Sequence, residues 1–233
     1  MQSELFLDKE DSMTEQIHEL GDATIKEFPF AFDRRASDKF FKELLDEIPW
    51  QQDTLWIAGR EINVPRLQYW VGDRGSNYGY SGIRLDPKPW TGTVLMIKER
   101  VESLTNEQFN SVLLNYYRNG QDSVSWHADD EKELGRYPII ASVSFGAHRK
   151  FQFRPKAKDD KRRFQIELRH GSVLLMGETL QNKWLHQLPK ISGLEELSNR
   201  GGDLSKVSSV ASFFVSRVDT CLLYTSPSPR DRG

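Results

Sequence analysis

The residues best equipped for chemistry sit in "SVSWHADDEKELG", Ser123 to Gly135, where a histidine is followed two positions later by an aspartate. Side chains alternate between faces along a strand, so a strand here would place His127 and Asp129 together. An imidazole nitrogen beside a carboxylate oxygen supplies two of the three donors of a metal site. Of the chain's five histidines, four remain from which to draw the third. His18 falls in a polar N-terminal stretch and reads as solvated, while His148 in "GAHRKF" and His170 in "RHGSV" read as exposed turn residues. His186 stands apart, inside the short apolar run of "NKWLHQLPK" that a proline closes. Two histidines and one carboxylate on one face leave open positions on a ferrous ion for a co-substrate and oxygen. The mixed nitrogen and oxygen donors favour iron over zinc. On spacing alone, the competing reading is a surface histidine beside a solvated acidic run, "ADDEKE".

The elements that must hold these side chains belong to a chain of 233 residues, 37% hydrophobic and 11% aromatic, which is enough for a substantial core. Thirty-four acidic residues against 32 basic ones leave a net charge of -2, so contact with nucleic acid would need a local basic patch. One cysteine, Cys221, rules out an internal disulfide and fits a reducing compartment, nucleus or cytoplasm. No apolar run approaches the roughly 20 residues of a membrane span. The acidic start "MQSELFLDKEDSMTEQ" lacks the pattern of a secretory signal. The expectation is a soluble monomer away from membranes.

Residues 1–21 are polar and read as a mobile lead-in. A helix is predicted in "DRRASDKFFKELLDEIPW", capped by Asp33 or Ser37 and ended by Pro49, and a second in "WTGTVLMIKERVESLTN", with Val94, Leu95, Lys98, Val101 and Leu104 along one face. Between them "VPRLQYWVGDRGSNYGYSG" reads as strand, turn and loop. From Phe109 the texture changes to short strand-like runs, "SVLLNYYR", "SVSWHAD", "PIIASVSFG", "KFQFRP", "RFQIEL", "SVLLM" and "VASFFVS", separated by turn residues. The fold class is therefore mainly β with flanking helices, a sandwich or barrel. Residues 22–108 form the helical and recognition part and 109–218 the β core of one domain, with 219–233 a tail foreign to it.

Wider context carries more than the triad. The stretch "LLNYYRNGQDSVSWHADDEKELGRYPIIASVSFGAHRKFQFR", followed in order by "HGSVLLM" and "WLHQLPK", resembles the AlkB family of iron- and 2-oxoglutarate-dependent dioxygenases. Within it the match is to eukaryotic demethylases of alkylated nucleic-acid bases, and "VPRLQYWVGDRGSNYGYSG" resembles their substrate-recognition segment. The resemblance spans about Val64 to Lys190. It implies a double-stranded β-helix, or jelly roll, with Fe(II) held by His127, Asp129 and His186. Asn115 and Tyr117 match a pair that contacts the 2-oxoglutarate co-substrate. On the substrate side, Asp130 and Glu131 match acids placed beside a cationic base. Tyr78, Tyr80 and Ser81 match the recognition loop, with Tyr80 stacking on the extruded base and Tyr78 bonding near Asp130. A stacked base is worth roughly 1–3 kcal/mol. Arg66 and Gln68 are further candidates for contact with nucleic acid, with a rim salt bridge as the alternative for Arg66.

The last core strand departs from the family. Two arginines six apart are expected there for the co-substrate carboxylates. The chain has Arg217, but Ala211 stands six residues before it. Either one arginine is missing, or the chain diverges from its native reading after about Gly201. At the rim, Trp56 or Ile57 in "WIAGREINVPR" is a candidate duplex wedge, with a core role for Trp56 as the alternative. "RPKAKDDKRR", Arg154 to Arg163, is a candidate phosphate contact, with a solvated loop diluted by two aspartates as the alternative.

The function implied is oxidative demethylation of 1-methyladenine and 3-methylcytosine in DNA and RNA, releasing formaldehyde, succinate and CO2. The partners implied are alkylated single-stranded DNA or RNA, with duplex DNA as a further candidate. The alternatives are a family dioxygenase acting on a non-nucleic-acid substrate, and a catalytically impaired nucleic-acid binder.

Overall fold

Short strands separated by turn residues do build most of the chain. A computed structural model describes residues 14–80, 83–135, 138–191 and 210–216. The first strands are β1 (Gln16–Glu19), β2 (Thr24–Phe28), β3 (Thr54–Ile57), β4 (Arg60–Asn63), β5 (Leu67–Gly72), β6 (Tyr78–Tyr80) and β7 (Ile83–Leu85). They are followed by β8 (Ser111–Tyr117), β9 (Val124–His127), β10 (Ile140–Gly146), β11 (Arg149–Pro155), β12 (Phe164–Leu168), β13 (Ser172–Met176), β14 (Trp184–Leu188) and β15 (Val210–Ser216). The helices are α1 (Arg34–Glu47), α2 (Gly92–Thr105) and α3 (Glu178–Lys183).

A seven-stranded sheet in the order β1-β2-β13-β10-β15-β8-β5 packs on a four-stranded sheet in the order β12-β11-β14-β9. Every pairing in both is antiparallel. Between the sheets, Ile140, Leu174 and Met176 of the large one meet Phe151, Phe153, Ile166 and Leu188 of the small one. On the other face of the large sheet, Val112, Leu114, Val143 and Phe145 meet Leu44 of α1 and Val94, Ile97 and Val101 of α2. Covered on both faces, β10 is buried almost throughout, Ser142 and Ser144 included, so its alternation does not mark a solvent-facing side.

The helices begin and end where the sequence predicts. Asp33 caps α1, its Oδ1 accepting from Ala36 N at 2.7 Å, and the chain turns extended at Ile48 before Pro49. Thr91 caps α2, and Asn106, with φ 57°, ends it. Gly171 allows α1 to sit close: its φ is +81°, and a Cβ there would lie 2.7 Å from the Phe32 carbonyl oxygen.

Several expectations need correction. The lead-in ends early, because Gln16–Glu19 form β1 at the edge of the large sheet. His18 is not merely solvated: its Nε2 lies 2.7 Å from Oε2 of the buried Glu27, which also accepts from Arg169 at 3.1 Å. His170 is not an exposed turn residue either, since its Nδ1 accepts from Gly146 N at 2.8 Å. The buried face of α2 is Thr93, Val94, Ile97 and Val101; Leu95 is 38% exposed, because one residue's advance turns it about 100° away. Helix α3 had no predicted counterpart. Ser81, Arg217 and the tail 219–233 lie outside the described residues.

Candidate metal and co-substrate site

Alternation along two neighbouring strands of the large sheet lines a cavity between the sheets. On β8, Val112 and Leu114 face the helices, so Leu113, Asn115 and Tyr117 face inward. Ahead of and along β5, the same parity turns Arg66, Gln68 and Trp70 inward, and the ladder sets Gln68 opposite Asn115 and Trp70 opposite Leu113. Asn115 and Tyr117 are both buried, and Tyr117 lies under the Arg149 guanidinium, 5.8 Å from its ring centroid. Arg149 in turn donates to the carbonyls of Asp122 and Pro189, at 3.0 and 2.7 Å. It ties the β8–β9 connection to the end of β14.

The three metal candidates meet across the cavity, on the small sheet. His127 ends β9 directly opposite His186 of β14, with ring centroids 4.3 Å apart. The strand stops at His127, so a turn rather than strand alternation brings Asp129 alongside. The turn is held by α3: Gln181, fully buried, accepts from Asp129 N at 3.0 Å. The possible ligand atoms of His127, Asp129 and His186 all lie within 4.8 Å of one another. His127 Nδ1 lies 2.8 Å from the Ser125 carbonyl, which fixes that nitrogen as the donor and leaves Nε2 with its lone pair. His186 Nε2 and Asp129 Oδ2 are buried 3.5 Å apart with no hydrogen-bond partner among the described residues. Burial, with His127 and Lys156 nearby, holds the His186 imidazole neutral, well below its ordinary range, and burial raises the Asp129 carboxyl. Two imidazole nitrogens and an orphaned carboxylate oxygen are the donors a divalent ion needs, so the residues fit the group.

Comparison with known proteins decides the family. The sequence profile of the 2OG-Fe(II) oxygenase superfamily matches residues 24–206. The chain is 41% identical over 170 residues to "Alpha-ketoglutarate-dependent dioxygenase alkB homolog 3" of Bos taurus, covering 70% of this chain and 59% of that protein. It is 38% identical over 172 residues to "DNA oxidative demethylase ALKBH2" of Mus musculus, covering 70% of this chain and 72% of that one. The chain belongs to the AlkB-like 2OG-Fe(II) oxygenases. A solved structure, "The structure of OsALKBH1", shares the fold with a TM-score of 0.57 at 11% identity, over 87% of this chain and all of that one. Fe(II) and 2-oxoglutarate are the cofactor and co-substrate of this superfamily.

In this AlkB-like site the acids after Asp129 separate. Asp130 is half-exposed and accepts from Lys156 Nζ at 2.7 Å. Glu131 turns inward beside Tyr78: burial, with Asp129 nearby, raises its carboxyl to about 7, and its Oε2 is buried with no partner among the described residues. Tyr78, expected near Asp130, lies beside that residue's flanking acids Asp129 and Glu131. It is buried and stacked on Trp70, centroids 4.8 Å apart, and burial with Asp129 and Glu131 nearby pushes its hydroxyl well up. Tyr80 is half-buried, 6.0 Å from Tyr78, and its hydroxyl donates to Gln68. Arg66 and Gln68 are 8% and 1% exposed, so neither is a rim residue as their assignment to nucleic acid implied. Both bond Asn115.

The rim differs. Trp56 is 73% exposed near the tip of the β3–β4 hairpin, where Ala58 and Gly59 turn the chain with φ 50° and 76°; a core role for it is excluded. Within the basic run, Arg154 stacks over Trp126 at 4.6 Å, Lys156 holds Asp130, and Arg162 bonds Asp160, Asp22 and the Leu20 carbonyl. Gln181, Trp70 and Arg149 escaped the sequence reading. For Gln181 the polar residue in "ETLQNKW" at a helical turn before His186 was the available signal; Arg149, in a turn-like "HRK", offered none.

Proposed function

We propose that this chain is an Fe(II)/2-oxoglutarate-dependent oxidative demethylase of N-alkylated bases, 1-methyladenine and 3-methylcytosine, in single-stranded DNA or RNA. On this reading its two antiparallel sheets form a double-stranded β-helix with His127, Asp129 and His186 holding Fe(II) at its mouth. The observation that carries the proposal is the pairing of that triad with an inward acid: Glu131, its Oε2 buried without a partner among the described residues, lies beside Tyr78 and its neighbour ring Tyr80, where a cation would fit. A base methylated at a ring nitrogen is cationic and flat, which suits both features. The chain spans 59% of the length of the Bos taurus homolog 3 protein, so activity and substrate here are proposals for the chain itself.

Iron with oxygen and 2-oxoglutarate supplies the oxidation, after which the methyl group leaves as formaldehyde with succinate and CO2 as the other products. The protein's part is placement. Asn115 and Tyr117 receive the co-substrate, and Tyr80 and Tyr78 seat the base. Glu131 compensates the base's charge, and the apolar walls of Trp70 and Leu113 limit water. A nucleic-acid substrate and a single cysteine suit action in the nucleus or cytoplasm.

One observation favours a second reading, an impaired binder: Ala211, six before Arg217, stands where the family's first arginine is expected. Succinate formation with a methylated oligonucleotide, against a methylated peptide, tests the proposal. Turnover on the oligonucleotide alone supports it, and turnover on the peptide alone contradicts it. If neither turns over, gain of activity in Ala211→Arg identifies the defective co-substrate pocket.

A further inference from the structure

Gln68 and Arg66 sit on the inward face beside Asn115, and what they do there follows from donors and acceptors. Arg66 Nε donates to Asn115 Oδ1 at 2.8 Å, and Gln68 Nε2 donates to the same oxygen at 2.9 Å. With its oxygen held twice, the Asn115 amide cannot turn over. Its Nδ2 is then the end of the amide left to donate, and Asn115 lines the cavity. On its other side, Gln68 Oε1 accepts from the Tyr80 hydroxyl. Reversing the Gln68 amide would let its oxygen accept from Arg66 Nε and Nη2 at 3.2 Å but would also set it 2.9 Å from Asn115 Oδ1; because the 2.8 Å bond from Arg66 holds that oxygen in place, the orientation that donates to Asn115 is preferred. An ordered chain runs from the Tyr80 hydroxyl through Gln68 to Asn115. It crosses between β5 and β8 at directly opposed ladder positions. Both amides are buried, at 1% and 2% exposure, where each link depends strongly on the next.

We propose that Gln68 is a positioning residue that couples the base platform to the co-substrate pocket. A nucleobase on the Tyr80 ring fixes the hydroxyl, the hydroxyl fixes Gln68, and Gln68 with Arg66 aims the Asn115 amide N–H at 2-oxoglutarate. The two sites then bind cooperatively, and co-substrate is held best when a substrate base is present. This rests on the assignment of Asn115 to the co-substrate and Tyr80 to the base.

The test is 2-oxoglutarate affinity of the Fe(II) protein without oxygen, read by metal-to-ligand absorption, with and without a single-stranded oligonucleotide carrying 1-methyladenine. In the native chain the oligonucleotide tightens 2-oxoglutarate about fivefold or more, and 2-oxoglutarate tightens the oligonucleotide by the same factor. Tyr80→Phe keeps the ring and removes the hydroxyl; Gln68→Met keeps the bulk and removes both bonds. In either, the ratio falls to about one while both ligands still bind. A native ratio of one overturns the proposal, as does a ratio that survives Tyr80→Phe. Tyr80 is only half-buried, so that variant carries the test even if Gln68→Met fails to fold. If the native protein binds no 2-oxoglutarate, or no oligonucleotide, the underlying assignment fails, and this proposal falls with it.

Discussion

The inner wall of the site and its outer rim are built on opposite terms. On the wall, Asn115 is held by two donors from β5 and the residue ahead of it and Asp129 by Gln181 of α3, while His127 is held by a carbonyl of its own strand. On the rim, Trp56 stands 73% exposed on a two-stranded hairpin, and the basic loop that follows β11 is half committed to its own acids. Groups that meet reacting atoms must be correct to a fraction of an ångström, and buried hydrogen bonds between strands achieve that. Groups that meet a nucleic-acid surface can adapt and need only be presented.

The contrast fails or sharpens under substitution. His186→Ala has the largest effect: iron binding and turnover are lost, while an oligonucleotide still binds through the rim. Elemental analysis and a gel shift check both. Gln181→Leu comes next. It removes the acceptor of Asp129 N without touching a ligand, so iron affinity falls about 10–100-fold and excess Fe(II) restores activity, as a titration would show.

Glu131 lies between wall and rim, and its response depends on pH. Its folded carboxyl is raised to about 7 by burial and Asp129, above the ordinary carboxylate range of about 4.5. The folded state therefore keeps a proton that the unfolded chain releases, and stability declines as pH rises from about 4.5 through 7. Glu131→Gln removes that penalty: its melting temperature matches the native protein near pH 4.5 and exceeds it at pH 8, where the full shift would be worth roughly 3 kcal/mol and solvent screening of a partly exposed carboxyl leaves ~1 kcal/mol, about 2–4 °C. Native affinity for a cationic methylated base rises over the same interval as Glu131 ionises, and the glutamine variant is flat.

Trp56→Ala is the mildest. Stability changes by no more than about 0.5 kcal/mol, because the ring is outside the core. Affinity for duplex falls while that for single strands holds, which a competition assay separates. A marked loss of stability would blur the distinction between wall and rim.

Legibility in the sequence follows the same division. His127, Asp129 and His186 could be singled out because apolar runs and a closing proline frame them, and the β core was visible as short runs between turn residues. Asn115 and Tyr117 were visible only through family resemblance, since polar and aromatic alternation on a strand has no chemistry of its own. Two features were lost for physical reasons. β1 is a polar edge strand whose inward contacts are few, so composition made it resemble a free tail. α3 spans six residues, too few for helical periodicity to register. The roles of Arg66 and Gln68 depended on which residue faces them across the ladder, and a single strand's sequence does not carry its register.

Formaldehyde release from a single-stranded oligonucleotide carrying 1-methyladenine, with Fe(II) and 2-oxoglutarate, beside His127→Ala, tests the account most directly. Release by the native chain and none by the variant is the predicted result. A folded, iron-loaded protein that binds 2-oxoglutarate yet releases no formaldehyde from the methylated strand would contradict it.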